Sequence, residues 1–319
     1  MYTSFYNLSG RPFQLSPDHR FFFASRSHNR ALAYLTFGLN ERDGFIVITG
    51  DIGAGKTTLV GHLLSQIDRE HFIVAKVVTT QLQADDALRV VCSAFDLPYQ
   101  NADKATLLRT IERFLIESRR QGKHVLLVVD ESQNLSMSAL EELRMLSNFQ
   151  VDNTPLFQCF LLGQPQFRRI MASEDLDQLR QRVIASCHLE PLEEDETRAY
   201  VEHRLRTVGW SGDPSFDDAC FGLIYRYTGG VPRRINTLCS RVLLYGSLEE
   251  KRHIDAATLE DVVHELAEEG TQPLPRNGHS AAESRPMPML HAPTPAEAID
   301  YGEILADLDR RVSVLKTGS

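Results

Sequence analysis

Between Phe45 and Leu64 the chain reads FIVITGDIGAGKTTLVGHLL: an apolar run, a turn with glycines at 50, 53 and 55, and a helical pattern behind Lys56-Thr57-Thr58. No other feature narrows the fold so much. A strand that ends in a glycine turn and passes directly into a helix is the first half of a β-α-β unit, whose strands pair in parallel and are buried on both faces. The chain that follows keeps the pattern. FIVAKVVTT, HVLLVVDE and LFQCFLLG read as further buried strands. Helical patterns lie at 56–67, 84–96, 104–121, 137–149, 165–172 and 175–184. The expectation is an α/β domain with a central parallel sheet.

The turn itself, Gly50-Asp51-Ile52-Gly53-Ala54-Gly55-Lys56-Thr57 followed by Thr58, fits G-x-x-x-x-G-K-[ST] with nothing missing. Glycines let successive backbone N–H groups curl toward one point, and the helix behind presents its positive end there, which makes a phosphate cradle. Lys56 can reach the outer phosphates, and the Thr57 hydroxyl can ligate Mg²⁺. The third strand ends in Asp130-Glu131. A carboxylate at Asp130 suits Mg²⁺ held through water, and Glu131 is placed to orient or deprotonate an attacking water. Either acid alone would read as a solvated strand end; beside the cradle they point to hydrolysis of a bound triphosphate.

Elsewhere the sequence is organised more simply. Residues 1–25 are aromatic and turn-rich, and Ser27 is placed to cap a helix to about Leu39. After CHLEPLEEDE, a short strand and a capped turn, only helical periodicity appears, over 195–208, 215–228, 232–248 and 255–268. The expected domains are therefore 1–25, an α/β domain at 26–190 and a small helical lid at 191–269. A linker at 270–296, with six prolines, and a short terminal helix at 297–319 follow. Across 319 residues the net charge is −9, which lacks the basic face of sequence-independent nucleic-acid binding. Five dispersed cysteines, Cys92, Cys159, Cys187, Cys220 and Cys239, form no C-x-x-C and read as reduced thiols. No run of about 18 apolar residues occurs, so a soluble cytoplasmic protein is expected.

Several stretches carry a family likeness: MYTSFYNLSGRPFQLSPDHRFFF, GDIGAGKTTL, LLVVDESQNL, LLGQPQFR, LRQRV and TGGVPRRINTLCSRVLL. Over residues 1 to about 268 the chain resembles AAA+ ATPases of the general-secretion-pathway A (ExeA-like) type. It is similar in particular to the soluble ATPases encoded with exosortase and exopolysaccharide export systems. The resemblance implies ATP and Mg²⁺ as cofactors. It implies a sensor role for Gln164 near the γ-phosphate, a second sensor at Arg233 on the lid, and Pro12 and Phe13 near the adenine. It also implies that Arg182, with Arg180 as second choice, acts as an arginine finger in a neighbouring subunit of a homo-oligomer such as a hexamer. The residues alone also allow Arg180 and Arg182 to make surface pairs with Glu174, Asp175 or Asp177.

Three functions follow as expectations. The first is a cytoplasmic motor or switch for an envelope system exporting protein or polysaccharide, peripheral to the inner membrane through a protein partner. The second is a DNA-associated regulatory ATPase of transposition type, which the acidic balance disfavours. The third is a binding module that uses nucleotide as a latch.

Overall fold

The structure, a computed structural model, describes residues 2–78 and 84–269; the expected linker at 270–296 and terminal helix at 297–319 lie outside the described residues. Five strands make one parallel sheet: β1 (Phe45–Gly50), β2 (Phe72–Val78), β3 (His124–Asp130), β4 (Phe157–Gly163) and β5 (Val183–Leu189). Their order is β2-β3-β4-β1-β5. The three central strands are buried almost throughout, as continuous apolar runs require when helices cover both faces.

Side chains alternate between the two faces. Phe45, Val47, Leu127, Val129 and Leu161 face one core, shared with the helices Ala84–Ala94, Lys104–Arg120 and Met137–Leu146. Ile46, Ile48, Leu126, Val128, Phe160 and Leu162 face the other, against Arg26–Glu41 and Lys56–Gln66. Phe160, at the middle of the sheet, is fully buried. Phe160→Ala is expected to cost about 3–5 kcal/mol of stability in urea denaturation, through lost transfer energy and a cavity the flanking strands cannot close.

Two local expectations need correction. The helical pattern at 175–184 stops at Arg180, after a 3₁₀ turn at Glu174–Leu176 and a single turn at Asp177–Arg180. From Val183 the chain is β5, paired in parallel with β1 over its full length. The polar Gln181 and Arg182 look helical, but Ala185 and Leu189 alternate into the core, and tertiary pairing decides. The first long helix is capped by Ser25, whose Oγ accepts from the His28 N–H at 3.2 Å. Ser27, expected to be the cap, instead accepts the Glu190 N–H at 2.9 Å.

The helices Glu194–Thr207, Asp218–Thr228, Pro232–Leu248 and Ala256–Glu268 pack around a third core. A capping box between Glu193 and Glu196 starts the first of them, and Pro232 at the first turn starts the third. Tyr6, Leu8, Phe13 and Phe21 are part of this same core. The amino-terminal segment thus packs with the helical lid as far as Phe21, while Phe22 joins the sheet-side core and stacks on His62; the chain enters the sheet domain between Phe22 and Arg26 and leaves it near Leu192. These crossings are tied together. The Arg26 guanidinium pairs with Glu193 and Asp195, and its backbone N–H donates to Glu196 Oε1 at 2.7 Å.

Candidate nucleotide site

The carboxyl ends of β1, β3 and β4, neighbours in the sheet, meet at one edge, which is where ligands bind in open α/β sheets. β1 opens into the glycine turn. Gly55 adopts φ 99°, and a Cβ there would stand 2.8 Å from His28 Nε2. His28 is buried, bonded through Nδ1 to Ser25 Oγ at 2.7 Å, and braces the loop through the Ala54 backbone at the wall of the cleft. Burial holds its pKa below the usual histidine value, so the imidazole is neutral near pH 7.

Lys56 Nζ donates to the Gly50 carbonyl at 2.7 Å and to the Asp51 carbonyl at 3.0 Å, folding back over its own loop. Burial lowers the Lys56 pKa, and the nearby carboxylates of Glu131, Asp130 and Asp51 oppose that shift. Thr57 Oγ1 donates to Asp130 Oδ2 at 2.8 Å. Lys76, reaching from β2, stands 3.4 Å from the same Asp130 oxygen.

Glu131 sits in left-handed backbone, φ 56°, at the end of β3, an uncommon conformation for a residue with a side chain. Its Oε2 accepts from Gln133 Nε2 at 2.6 Å and from Gln164 Nε2 at 3.1 Å. Gln133 Oε1 in turn accepts the Gln164 backbone N–H at 3.0 Å. Two amides therefore fix one carboxylate oxygen, so Glu131 is held by its own chain. Gln133 was absent from the residues expected at the site; its signal lay in the run DESQ, two positions beyond the glutamate.

The lid closes over the loop. The Arg233 N–H donates to the Gly53 carbonyl at 3.2 Å, and a Cβ on Gly53 would collide with Arg233 Cβ at 2.3 Å. Position 53 must stay a glycine for the two domains to meet this closely. The cleft between them is lined by Ile52, Gly53, Gly55, Lys56, Thr57, Thr58, Asp130 and Glu131 below and by Leu192, Tyr200, Arg204, Pro232, Arg233 and Asn236 above. Gln14 to Asp18 and Phe21 to Phe23 close its side.

Among the expected residues, the structure brings Lys56, Thr57, Thr58, Asp130, Glu131 and Arg233 to one cleft and hydrogen-bonds Gln164 to Glu131. Gly50, Asp51 and Ala54 complete the turn around it. Pro12 and Phe13 do not line the cleft: Phe13 is in the lid core, and the Pro12 carbonyl accepts from Arg204. The adjoining residues 14–18 take that wall. Arg180 and Arg182 are not on this chain's own cleft. Arg180 bonds the Met171 and Ser173 carbonyls and pairs with Asp177. Arg182 bonds the Ser147 carbonyl and Oγ and the Asn148 side chain.

The comparisons agree with this geometry. Residues 39–171 match the model of the AAA domain family. General secretion pathway protein A from Aeromonas hydrophila is 38% identical over 245 residues, 76% of this chain. The chain spans 44% of that relative's length, less than half. Among solved structures, Cdc6p from Pyrobaculum aerophilum superimposes with TM-score 0.63 at 15% identity, over 83% of this chain and 74% of that one. Aeropyrum pernix ORC2, as ADPNP-ADP complexes, gives 0.60 at 15%, over 80% and 71%. The RuvB branch migration motor of Thermotoga maritima gives 0.52 at 18%, over 77% and 70%. At such identities these structures speak for the fold. The chain thus carries an AAA domain in a P-loop NTPase fold and is a relative of General secretion pathway protein A.

Proposed function

We propose that this protein is an ATPase that works as a motor or switch for a bacterial envelope export system. The observation that carries the reading is the pairing at the sheet edge: Thr57 Oγ1 on Asp130 Oδ2 at 2.8 Å, beside a Glu131 fixed by two glutamines. One half holds a triphosphate with its ion; the other lines up water. The donor set suits Mg²⁺, a hard cation that takes oxygen ligands and keeps waters and phosphates in its shell. Thr57 and Asp130 would hold it, and when bound it neutralises charge on the β- and γ-phosphate oxygens.

The chain's own residues supply the rest. Loop amides and Lys56 bind the phosphates, leaving the Gly50 and Asp51 carbonyls as the ammonium turns to the ligand. Glu131 takes a proton from, or aligns, the attacking water. Gln164 positions Glu131, donating its side-chain amide to Oε2 at 3.1 Å. Arg233 approaches from the lid, and its guanidinium stays charged at all physiological pH values.

The export role rests on the 38% identity to General secretion pathway protein A. The finer placement, with exopolysaccharide or exosortase systems, belongs to the same proposal. So do a homo-oligomer formed on ATP binding, an envelope protein partner and a cytoplasmic location peripheral to the inner membrane. None of the helices among the described residues is long and apolar enough to cross a membrane.

Phosphate release from Mg-ATP is the test. Activity per chain should rise steeply with protein concentration as subunits assemble, and duplex DNA at low salt should leave it within about twofold. Equal activity per chain at all concentrations removes the need for a neighbour. Strong, salt-sensitive stimulation by DNA would replace export with a DNA-directed role, since neutralised phosphates make such binding salt-dependent.

A further inference from the structure

At the lid side of the cleft three polar side chains meet, each more than nine-tenths buried: Tyr200, Arg204 and Asn236. Arg204 Nη1 donates to Tyr200 Oη at 3.1 Å, and Tyr200 Oη donates to Asn236 Oδ1 at 3.0 Å. The direction of this chain follows from valence. A guanidinium only donates, so the phenol oxygen receives its N–H and the phenol proton goes to the amide oxygen. That choice orients the amide: with Oδ1 on Tyr200, Nδ2 is the free end. No protein group among the described residues accepts from it.

Arg204 heads the relay and, among the described residues, has no carboxylate partner. Its other N–H groups hold the carbonyls of Pro12 and Gln14, and its Cζ lies 4.5 Å from the Phe21 ring centroid. A buried cation satisfied only by neutral groups polarises the bonds it makes, and each bond in a chain strengthens the next. Asn236 therefore presents a strengthened but uncharged donor. It lies one helical turn beyond Arg233, whose backbone touches the phosphate loop, so it is about 4.5 Å further along the lid helix from that loop.

We propose that Asn236 Nδ2 donates a hydrogen bond to an acceptor on the nucleoside half of the bound nucleotide, so that the Arg204–Tyr200–Asn236 relay distinguishes a nucleotide from a bare polyphosphate. The proposal rests on the reading of the cleft as an ATP site. An uncharged donor at this place suits a ring nitrogen or a ribose oxygen. The phosphates are already served by the loop amides and Lys56.

Binding of ATP and of inorganic tripolyphosphate, each with Mg²⁺, by calorimetry on wild type, Asn236→Ala and Tyr200→Phe tests it. Wild type should prefer ATP. Asn236→Ala should weaken ATP about tenfold, the loss of one well-placed hydrogen bond, and leave tripolyphosphate within about twofold. Tyr200→Phe keeps the ring and removes only the relay hydroxyl; it should show the same selective loss to a smaller degree. A parallel loss toward both ligands, or none toward ATP, overturns the proposal. If wild type binds tripolyphosphate and ATP equally, the relay has no role while the phosphate site stands. If it binds neither, the ATP reading itself fails, and the relay with it. Within the supporting pattern, 2′-deoxy-ATP and 3′-deoxy-ATP narrow the acceptor: an about tenfold deficit of one of them on wild type that vanishes in Asn236→Ala assigns that ribose hydroxyl, and full affinity of both on wild type places the acceptor on the base or the ribose ring oxygen.

Discussion

Glu131→Gln is expected to bind Mg-ATP as wild type does while turning it over about 10²–10⁴-fold more slowly, the range general-base removal covers. The substitution is isosteric, and the new amide oxygen can still accept from Gln133 and Gln164, which now bond Glu131 Oε2. The local geometry therefore survives and only the basic carboxylate is lost. Lys56→Ala should do the opposite. Lys56 is the buried cation of the loop, and removing it leaves the loop only its amides for the phosphates, so ATP affinity should drop by about 100-fold or more. Calorimetry for binding and phosphate release for turnover separate the two. A comparable loss of affinity in both variants would take Glu131 out of its proposed role.

Mixing two inactive chains should restore activity if the finger acts between subunits. Arg182→Ala is expected to lower turnover about 10³-fold or more, as loss of an arginine finger does in other NTPases. Its Glu131 is intact, whereas Glu131→Gln retains Arg182. In an equimolar mixed assembly about one interface in four joins a working glutamate to a working arginine, so about a quarter of wild-type activity should return. A mixture as inactive as its parts would show that no such residue acts across subunits. Arg182 is preferred over Arg180 on structural grounds. Its guanidinium rests on neutral acceptors at Ser147 and Asn148, whereas Arg180 is paired with Asp177 and bonded to two carbonyls of its own loop. Neutral bonds are exchanged for a phosphate more cheaply than a charged pair is broken.

The meeting of the glycine turn with its acidic partner was legible because each depends on a short local signal. Lys56 and Thr57 follow glycines in a fixed spacing, and Asp130 ends an apolar run; the sheet then had to bring these ends together. Helix boundaries were legible where a cap or proline marks them, as at Pro232. β5 was misread at its start because Gln181 and Arg182 resemble a helix surface and only pairing with β1 reveals the strand. The lid side of the cleft was mostly hidden. Tyr200 and Arg204 lie on a helix whose spacing announces only a buried face, and their partners are Asn236 and the carbonyls of Pro12 and Gln14, far away in sequence. Gln133 was visible but not distinctive, since a glutamine after a strand has no meaning until the Gln164 amide is beside it.

The lid core takes in Tyr6, Leu8, Phe13 and Phe21 as well as the helices beyond Leu192, and that limits how the molecule can move. Its two connections to the sheet run side by side, stapled where Arg26 meets Glu193 and Asp195 and where Ser27 receives Glu190. Adjacent connections define one pivot line, which restricts turning of the lid about any other axis. Phe22, stacked on His62 of the helix Lys56–Gln66 with ring centroids 4.1 Å apart, holds the segment before Arg26 to the sheet side as well, so an opening that frees Arg233 from Gly53 would load that segment from both sides.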